Sequence, residues 1–308
     1  MEQNKQNALI RFLWLILKGV PVGVAFIIPG FSGGSVAAIM GIYDELLESI
    51  TGLKKHFKRS LAFLIPILIG MALGVAALIF PIKILLPKYP IIVVSFFIGL
   101  SLGGLPSIAE NVGKVREMKW YHALSFLLPL AVAAAIGFLP KSEPVDLVHM
   151  DMVGYVLLFL VGVIGASALI VPGISGSMLL LIFGYYNPIV EMATDYLLKG
   201  QMVGHALLVL IVVALGIVVG FFLISYLMRF LLHRFEKGTY LAILGFIIGS
   251  VPAAYLASCA DAAASGWTFA SVASSPIHWV LTALFLLIGF VLSLSMVFAA
   301  RKKNPERS

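Results

Sequence analysis

The chain reads as long apolar runs separated by short polar breaks. Eight runs, at about 9–28, 61–86, 91–109, 121–139, 153–171, 205–232, 240–257 and 277–300, approach or exceed the ~20 residues a helix needs to cross a bilayer. Two runs differ. The second starts after Gly34 and loses its apolar character at Asp44-Glu45, and the seventh covers 177–190. Ser35 to Tyr43 is too short to cross. Runs one and two are therefore expected to form a hairpin that dips in and returns to the same side. Runs six and seven should do the same. A Pro-Gly-x-Ser-Gly break stands at each tip.

The breaks are copies of one another. The first is Pro29-Gly30-Phe31-Ser32-Gly33-Gly34-Ser35, leading to Gly41-Ile42-Tyr43; the second is Pro172-Gly173-Ile174-Ser175-Gly176-Ser177, leading to Gly184-Tyr185-Tyr186. An offset of 143 superposes them and also places Glu48 on Glu191. An offset of 146 places Gly70 and Gly74 on Gly216 and Gly220, and Gly99, Gly103 and Pro106 on Gly245, Gly249 and Pro252. An ordered series across four segments marks an internal duplication. The match weakens in the last segment of each half.

Composition agrees with the pattern. The chain is 61% hydrophobic and 11% charged, against roughly 25% charged in soluble domains. Mean hydropathy is +1.08. The net charge of +7 orients the protein in a membrane and does not point to nucleic acid. If both hairpins are re-entrant, sixteen Lys and Arg fall on one side: Lys5, Arg11, Lys54, Lys55, Lys58, Arg59, Lys114, Arg116, Lys119, Arg229, Arg234, Lys237, Arg301, Lys302, Lys303 and Arg307. The other side receives Lys83, Lys88, Lys141 and Lys199. Positive residues stay inside, so both termini are expected in the cytoplasm. The first run lacks a small-residue cleavage site and reads as a retained segment. The single Cys259 excludes an internal disulfide framework and a Cys-based metal site.

The expected fold is all-α: a polytopic integral membrane protein with an inverted-topology repeat. Each half is a re-entrant hairpin plus three transmembrane helices. The first repeat takes 1–140, with its hairpin at 9–50; a loop follows at 141–152. The second takes 153–300, with its hairpin at 153–193, and 301–308 is a basic tail. Three crossings separate the hairpins, so the second half lies upside down and the tips should meet near the midplane.

Non-helical backbone in a membrane is tolerated only inside protein or against a wet cavity. Pro29, Gly30, Pro172 and Gly173 shape the tips. The returning half-helices should start near Gly33 and Gly176. Each brings unpaired N–H groups and roughly half a positive charge. With Gly34 and the hydroxyls of Ser32, Ser35, Ser175 and Ser177, they compose a candidate anion site suited to phosphate. The competing reading is that the serines only cap helices and most glycines only pack them. Glu48 and Glu191 are candidates for coupling. Lys18, about 16 Å along a helix from Pro29, is expected to anchor at the inner headgroups or to pair with a lipid phosphate, as are Arg116 and Arg229. Asp44 and Glu45 read as solvated hairpin ends, and His122, His205 and His278 as packing or interface residues. No catalytic constellation stands out, no histidines have metal-ligand spacing, and no cofactor is expected.

The paired breaks, Ile28 to Ser35 and Val171 to Ser177, with Gly41-Ile42-Tyr43 and Gly184-Tyr185-Tyr186, resemble a bacterial and archaeal family associated with polyprenyl-phosphate transport, the PopT type. The resemblance covers nearly the whole chain. The copies differ at Ser177 against Gly34, and at Asn187-Pro188 against Asp44-Glu45. The resemblance implies a transporter, not an enzyme, in the bacterial plasma membrane. It implies undecaprenyl phosphate as the lipid partner, moved from the outer to the inner leaflet. Moving an anion inward opposes an inside-negative potential by ~2.3 kcal/mol per charge per 100 mV, so a coupling proton or cation fits. The residues themselves specify only an anion. Three rivals stay open: a small-anion channel or ion-coupled exchanger, a membrane lipid phosphatase, and an assembly factor. A lateral opening to lipid would favour the lipid substrate.

Overall fold

A computed structural model describes residues 2–27, 32–113, 118–140, 142–173, 176–200, 202–264 and 276–303. The protein is an all-α polytopic membrane protein, with no strand among the described residues. The first half contains α1 (Glu2–Ile27), α2 (Gly33–Ile39), α3 (Tyr43–Thr51), α4 (Phe57–Lys88), α5 (Pro90–Gly113) and α6 (Trp120–Ile136). The second contains α7 (Met152–Ile170), α8 (Gly176–Ile182) and α9 (Tyr186–Glu191), which runs into a π-helical turn (Met192–Leu198). It continues with α10 (Val203–Arg234), α11 (Glu236–Ala264) and α12 (Pro276–Lys303).

Helices α4, α5, α10, α11 and α12 are long and apolar enough to cross a membrane; α6 and α7 are shorter apolar helices. Their outer faces carry large exposed aliphatic side chains, including Leu68, Leu73, Leu215, Leu223, Leu287 and Val291. Helices meet the demand of hydrocarbon that every backbone group be paired within its own segment.

Glycines decide which helices touch. A Cβ added at Gly70 or Gly74 would strike the carbonyl oxygen of Ile16 or Val20, which seats α4 directly on α1. The same pairing recurs between α10 and α7, where Gly216 and Gly220 lie against the carbonyls of Phe159 and Val163. The remaining helices exchange partners between halves. Gly99 and Gly103 of α5 lie against Leu286 and Phe290 of α12, and Gly245 and Gly249 of α11 lie against Phe126 and Leu130 of α6. Helices α5 and α11 also pack on each other. The repeated contacts therefore reach the last helix of each half, where residue identities no longer match. Glycine stripes of this kind let helices gain dispersion contact where hydrophobic burial gives no drive.

The short helices have defined ends. Gly41 N–H donates to the Ala38 carbonyl at 3.1 Å and Ile42 N–H to Ala37 at 3.0 Å. Gly184 and Tyr185 repeat this on Leu181 at 3.1 Å and Leu180 at 2.9 Å. Both are Schellman endings, which need a residue at positive φ. Gly41 has φ 65° and Gly184 φ 76°. The duplicated Gly-x-Tyr is thus the stop signal of each half-helix. The run expected to reach Tyr43 divides at this turn: α2 ends at Ile39, and an amphipathic helix, α3, begins at Tyr43.

Candidate functional site

Helix α2 starts at Gly33 and α8 at Gly176, each seven residues long. Pro29, Gly30 and Ser175 lie outside the described residues, as does Arg116, and the side chain of Ser177 is likewise not described. Ser32, Gly33, Gly34 and Ser35 are all buried. Ser32 occupies the N-cap position but makes no side-chain cap. Its hydroxyl instead donates to the Val171 carbonyl at 3.2 Å. The Gly173 N–H donates to Ser35 Oγ at 2.6 Å. Tyr43 OH donates to the Ile170 carbonyl at 2.8 Å. A Cβ on Gly34 would come within 2.8 Å of the Ile170 oxygen. The first tip thus rests on the break that precedes the second tip. Backbone groups of the other half engage both serines: Ser32 as donor and Ser35 as acceptor.

Gly173 holds φ 87° and presses on Phe246, 2.6 Å from the site of an added Cβ. Pro172 beside it is buried. The second break is consequently wedged between α2 and α11.

Two of the charged candidates, Glu48 and Arg229, lie at α3. Asp44 and Glu45 were expected as solvated ends; Asp44 is exposed and Glu45 partly so, and each also has a partner, Asp44 accepting from Tyr240 OH at 2.8 Å and Glu45 pairing with Arg11 at 2.6 Å. The latter pair is exposed, so it stabilises by no more than ~1 kcal/mol. Arg229 Nη1 donates to Thr51 Oγ1 at 2.7 Å, and Tyr226 OH to the Thr51 carbonyl at 3.0 Å. Helices α10 and α11 of the second half therefore hold α3 of the first. Glu48 and Arg229 line both a cavity of about 780 Å³, shared with Arg11, Lys55 and Arg59, and one of about 430 Å³. Glu191 is exposed at the end of α9.

Lys18 departs from the expected headgroup anchor. Its Nζ donates to the Met40 carbonyl at 2.9 Å, at the C-terminal end of α2. There it meets the negative end of the short helix and lies 6.0 Å from the Trp14 ring centre. It lines a third cavity, an apolar groove of about 340 Å³ walled by α1, α2, α4, α5 and α12. A fourth, of about 790 Å³, runs between α6, α10 and α11 from Arg234 and Lys237 to Val171 at the second break.

The inter-half loop covers the second hairpin. Ser142 and Val145 N–H groups donate to the Ile182 and Gly184 carbonyls, each at 3.1 Å. His205 Nε2 lies 2.7 Å from the Leu147 carbonyl and fixes the loop to α10. Asp146 accepts from Val148 N–H at 2.8 Å and lies 2.9 Å from His149 Nδ1. The His149 hydrogen bond, then those from the backbone, hold its carboxyl below the usual carboxylate range.

A family model described as undecaprenyl phosphate translocase-like matches residues 22–265. The chain belongs to this translocase-like family. A protein of Staphylococcus aureus named polyprenyl-phosphate transporter is 29% identical over 293 residues, 93% of this chain and 96% of that one. A Vibrio cholerae protein of the same name is 31% identical over 260 residues, 79% and 77% of the two chains. No solved structure matches. As a member of a transporter family the chain is not an enzyme. The matched span contains both breaks, the inter-half loop and all of α3.

Sequence reading missed several residues of this translocase-like protein. Thr51 carried a signal: it matches Thr194 at the same offset of 143 that pairs Glu48 with Glu191. Ser293 carried a weaker one, as a hydroxyl inside an apolar span. Tyr240 carried none, because its partner Asp44 lies in the other half.

Proposed function

We propose that the protein carries polyprenyl phosphate, undecaprenyl phosphate in particular, from the outer to the inner leaflet of the bacterial plasma membrane. The relatives' names supply the lipid. The observation that carries the reading is the direct contact of the two breaks through Ser32, Ser35, Val171 and Gly173. A phosphate oxygen can replace the Val171 carbonyl on the Ser32 hydroxyl, and can take the Gly173 N–H from Ser35 Oγ. As the tips part, Ser32, Ser35, Ser175 and Ser177 with the N–H groups of Gly33, Gly34 and Gly176 take the phosphate. They return to one another when it leaves. The isoprenoid tail stays in lipid throughout.

The inward direction is read together with the expected inverted-repeat topology. On that topology three of the cavities, those lined by Arg229 or by Arg234 and Lys237, border the side rich in Lys and Arg. The opposite side is covered by the loop over Gly184. The conformation is then inward-facing, with the tips closed behind the released lipid. Two of the cavities are grooves that end at a tip, one at Val36 and one at Val171. Mostly apolar walls suit a lipid better than a small hydrated anion. Rocking of one half on the other would reverse the arrangement. Glu48, which lines both the basic cavity and the smaller one it shares with Asp44, Glu236 and Arg229, is the candidate to carry a coupling proton or cation.

The test is reconstitution in liposomes with polyprenyl phosphate, reading its exposure in the outer leaflet with and without an ion gradient. The parent chain should deplete the outer leaflet. The double variant Ser32→Leu, Ser175→Leu should not, while folding normally. Undiminished transport by that variant refutes the tip site.

A further inference from the structure

The groove beside the first tip has one feature its walls do not explain. Ser293 of α12 lines it, is 1% exposed, and has a hydroxyl with no hydrogen-bond partner. A buried hydroxyl left unpaired costs about 1–3 kcal/mol. Such groups point to something that binds. Among the described residues the only charged side chain in the same groove is Lys18, and no carboxylate lines it. The other walls are apolar, Phe97, Leu100 and Met296 among them. Helices α1 and α12 form opposite walls yet are not a packed pair. On this rim Leu17 is 59% and Leu292 41% exposed. The groove therefore opens sideways into hydrocarbon.

An apolar slot with a lateral mouth, one cation and one spare hydroxyl has the chemistry of a single-chain lipid with an anionic head. We propose that it is a second station for polyprenyl phosphate, separate from the tips. The phosphate lies between Lys18 Nζ and Ser293 Oγ, and the first isoprene units lie against Phe97 and Leu100. The chain leaves between α1 and α12. Lys18 already bonds Met40 at the turn after α2, so an occupied station is linked to the hairpin that moves. This inference rests on the lipid reading above but names different residues.

Trp14 lines the groove and supplies the readout. The full chain, with Trp120, Trp267 and Trp279 changed to Phe, is placed in phosphatidylcholine nanodiscs and titrated with farnesyl phosphate, farnesol or inorganic phosphate. Farnesyl phosphate should shift Trp14 emission at about tenfold lower concentration than farnesol, with inorganic phosphate silent. Lys18→Gln and Ser293→Ala should each raise its half-saturation about tenfold, as expected for lost hydrogen bonds to a charged group, and leave that of farnesol unchanged. Ser293→Cys keeps the volume, weakens the donor and should behave like Ser293→Ala. Leu100→Trp fills the slot and should weaken both lipids. Equal half-saturation for farnesyl phosphate and farnesol overturns the proposal. So does an unchanged farnesyl phosphate titration in folded Ser293→Ala or Ser293→Cys. Liposome transport without a Trp14 response sinks this station and leaves translocation standing. A Trp14 response dependent on Lys18 and Ser293, without transport, does the reverse.

Discussion

Ser35→Ala isolates the contact between the two breaks. The substitution removes the acceptor that holds Gly173 N–H at 2.6 Å. The freed N–H cannot turn to another partner easily, because Gly173 is held at φ 87° against Phe246. The contact is partly buried, and leaving its backbone donor unpaired costs up to about 1–3 kcal/mol. That cost falls on the closed arrangement alone if the tips separate during transport. The equilibrium between closed and parted tips should then move by about 5- to 150-fold. Hydrogen exchange reads it directly: the Gly173 amide should exchange faster by that factor, while amides of α5 and α11 keep the parent's rates. The same variant should change the rate of polyprenyl phosphate movement in liposomes. If Gly173 stays as protected as in the parent and transport is unaltered, the contact holds nothing, and the gating role assigned to the tips is wrong.

Two further outcomes test other parts of the structure. Gly103→Ala and Gly249→Ala each drive a methyl into a carbonyl, that of Phe290 or of Leu130; each should destabilise by about 1–3 kcal/mol. Thermal unfolding in detergent should show similar losses for the pair, and a harmless Gly249→Ala would deny the matched contact. The folded-state pKa of Asp146 lies below its ordinary value, so the hold on the inter-half loop is present above the ordinary carboxylate pKa of ~3.9 and is lost as pH falls through the depressed value. Exchange at the Val148 and His149 amides should therefore rise on acidification, and Asp146→Ala, which removes the acceptor, should show the fast rate at neutral pH.

The long helices were legible because the bilayer demands them: a span must be apolar over its whole length, and no soluble rule competes. Helix α4 runs Phe57–Lys88 where the apolar run covers 61–86, since the backbone stays helical past the hydrocarbon boundary. The half-helices were legible as a repeated break, and Gly41 and Gly184 as a match. Their role as Schellman stops became visible only with the hydrogen bonds. A meeting of the two tips was expected, but the particular contacts between halves were not legible. No periodicity tells Ser32 that its acceptor is Val171, or Tyr240 that its acceptor is Asp44. Lys18 was legible as a cation expected near the inner headgroups, but the side chain turns to Met40 because the end of a short helix offers unpaired carbonyls. The apolar groove was invisible for the same reason as the tip contacts: Trp14 and Ser293 stand at opposite ends of the chain.

The exchange of partners between halves also sets the order in which the molecule can be made. Helix α5 is complete at Gly113, but the helix that covers its glycines begins only at Pro276. At ~5–20 residues per second, translation leaves that face bare for roughly 10–30 s. During this interval Gly99 and Gly103 present a smooth backbone groove to whatever helix is nearest. A nascent chain so arranged depends on the insertion machinery to keep strangers off α5 until its own last helix arrives.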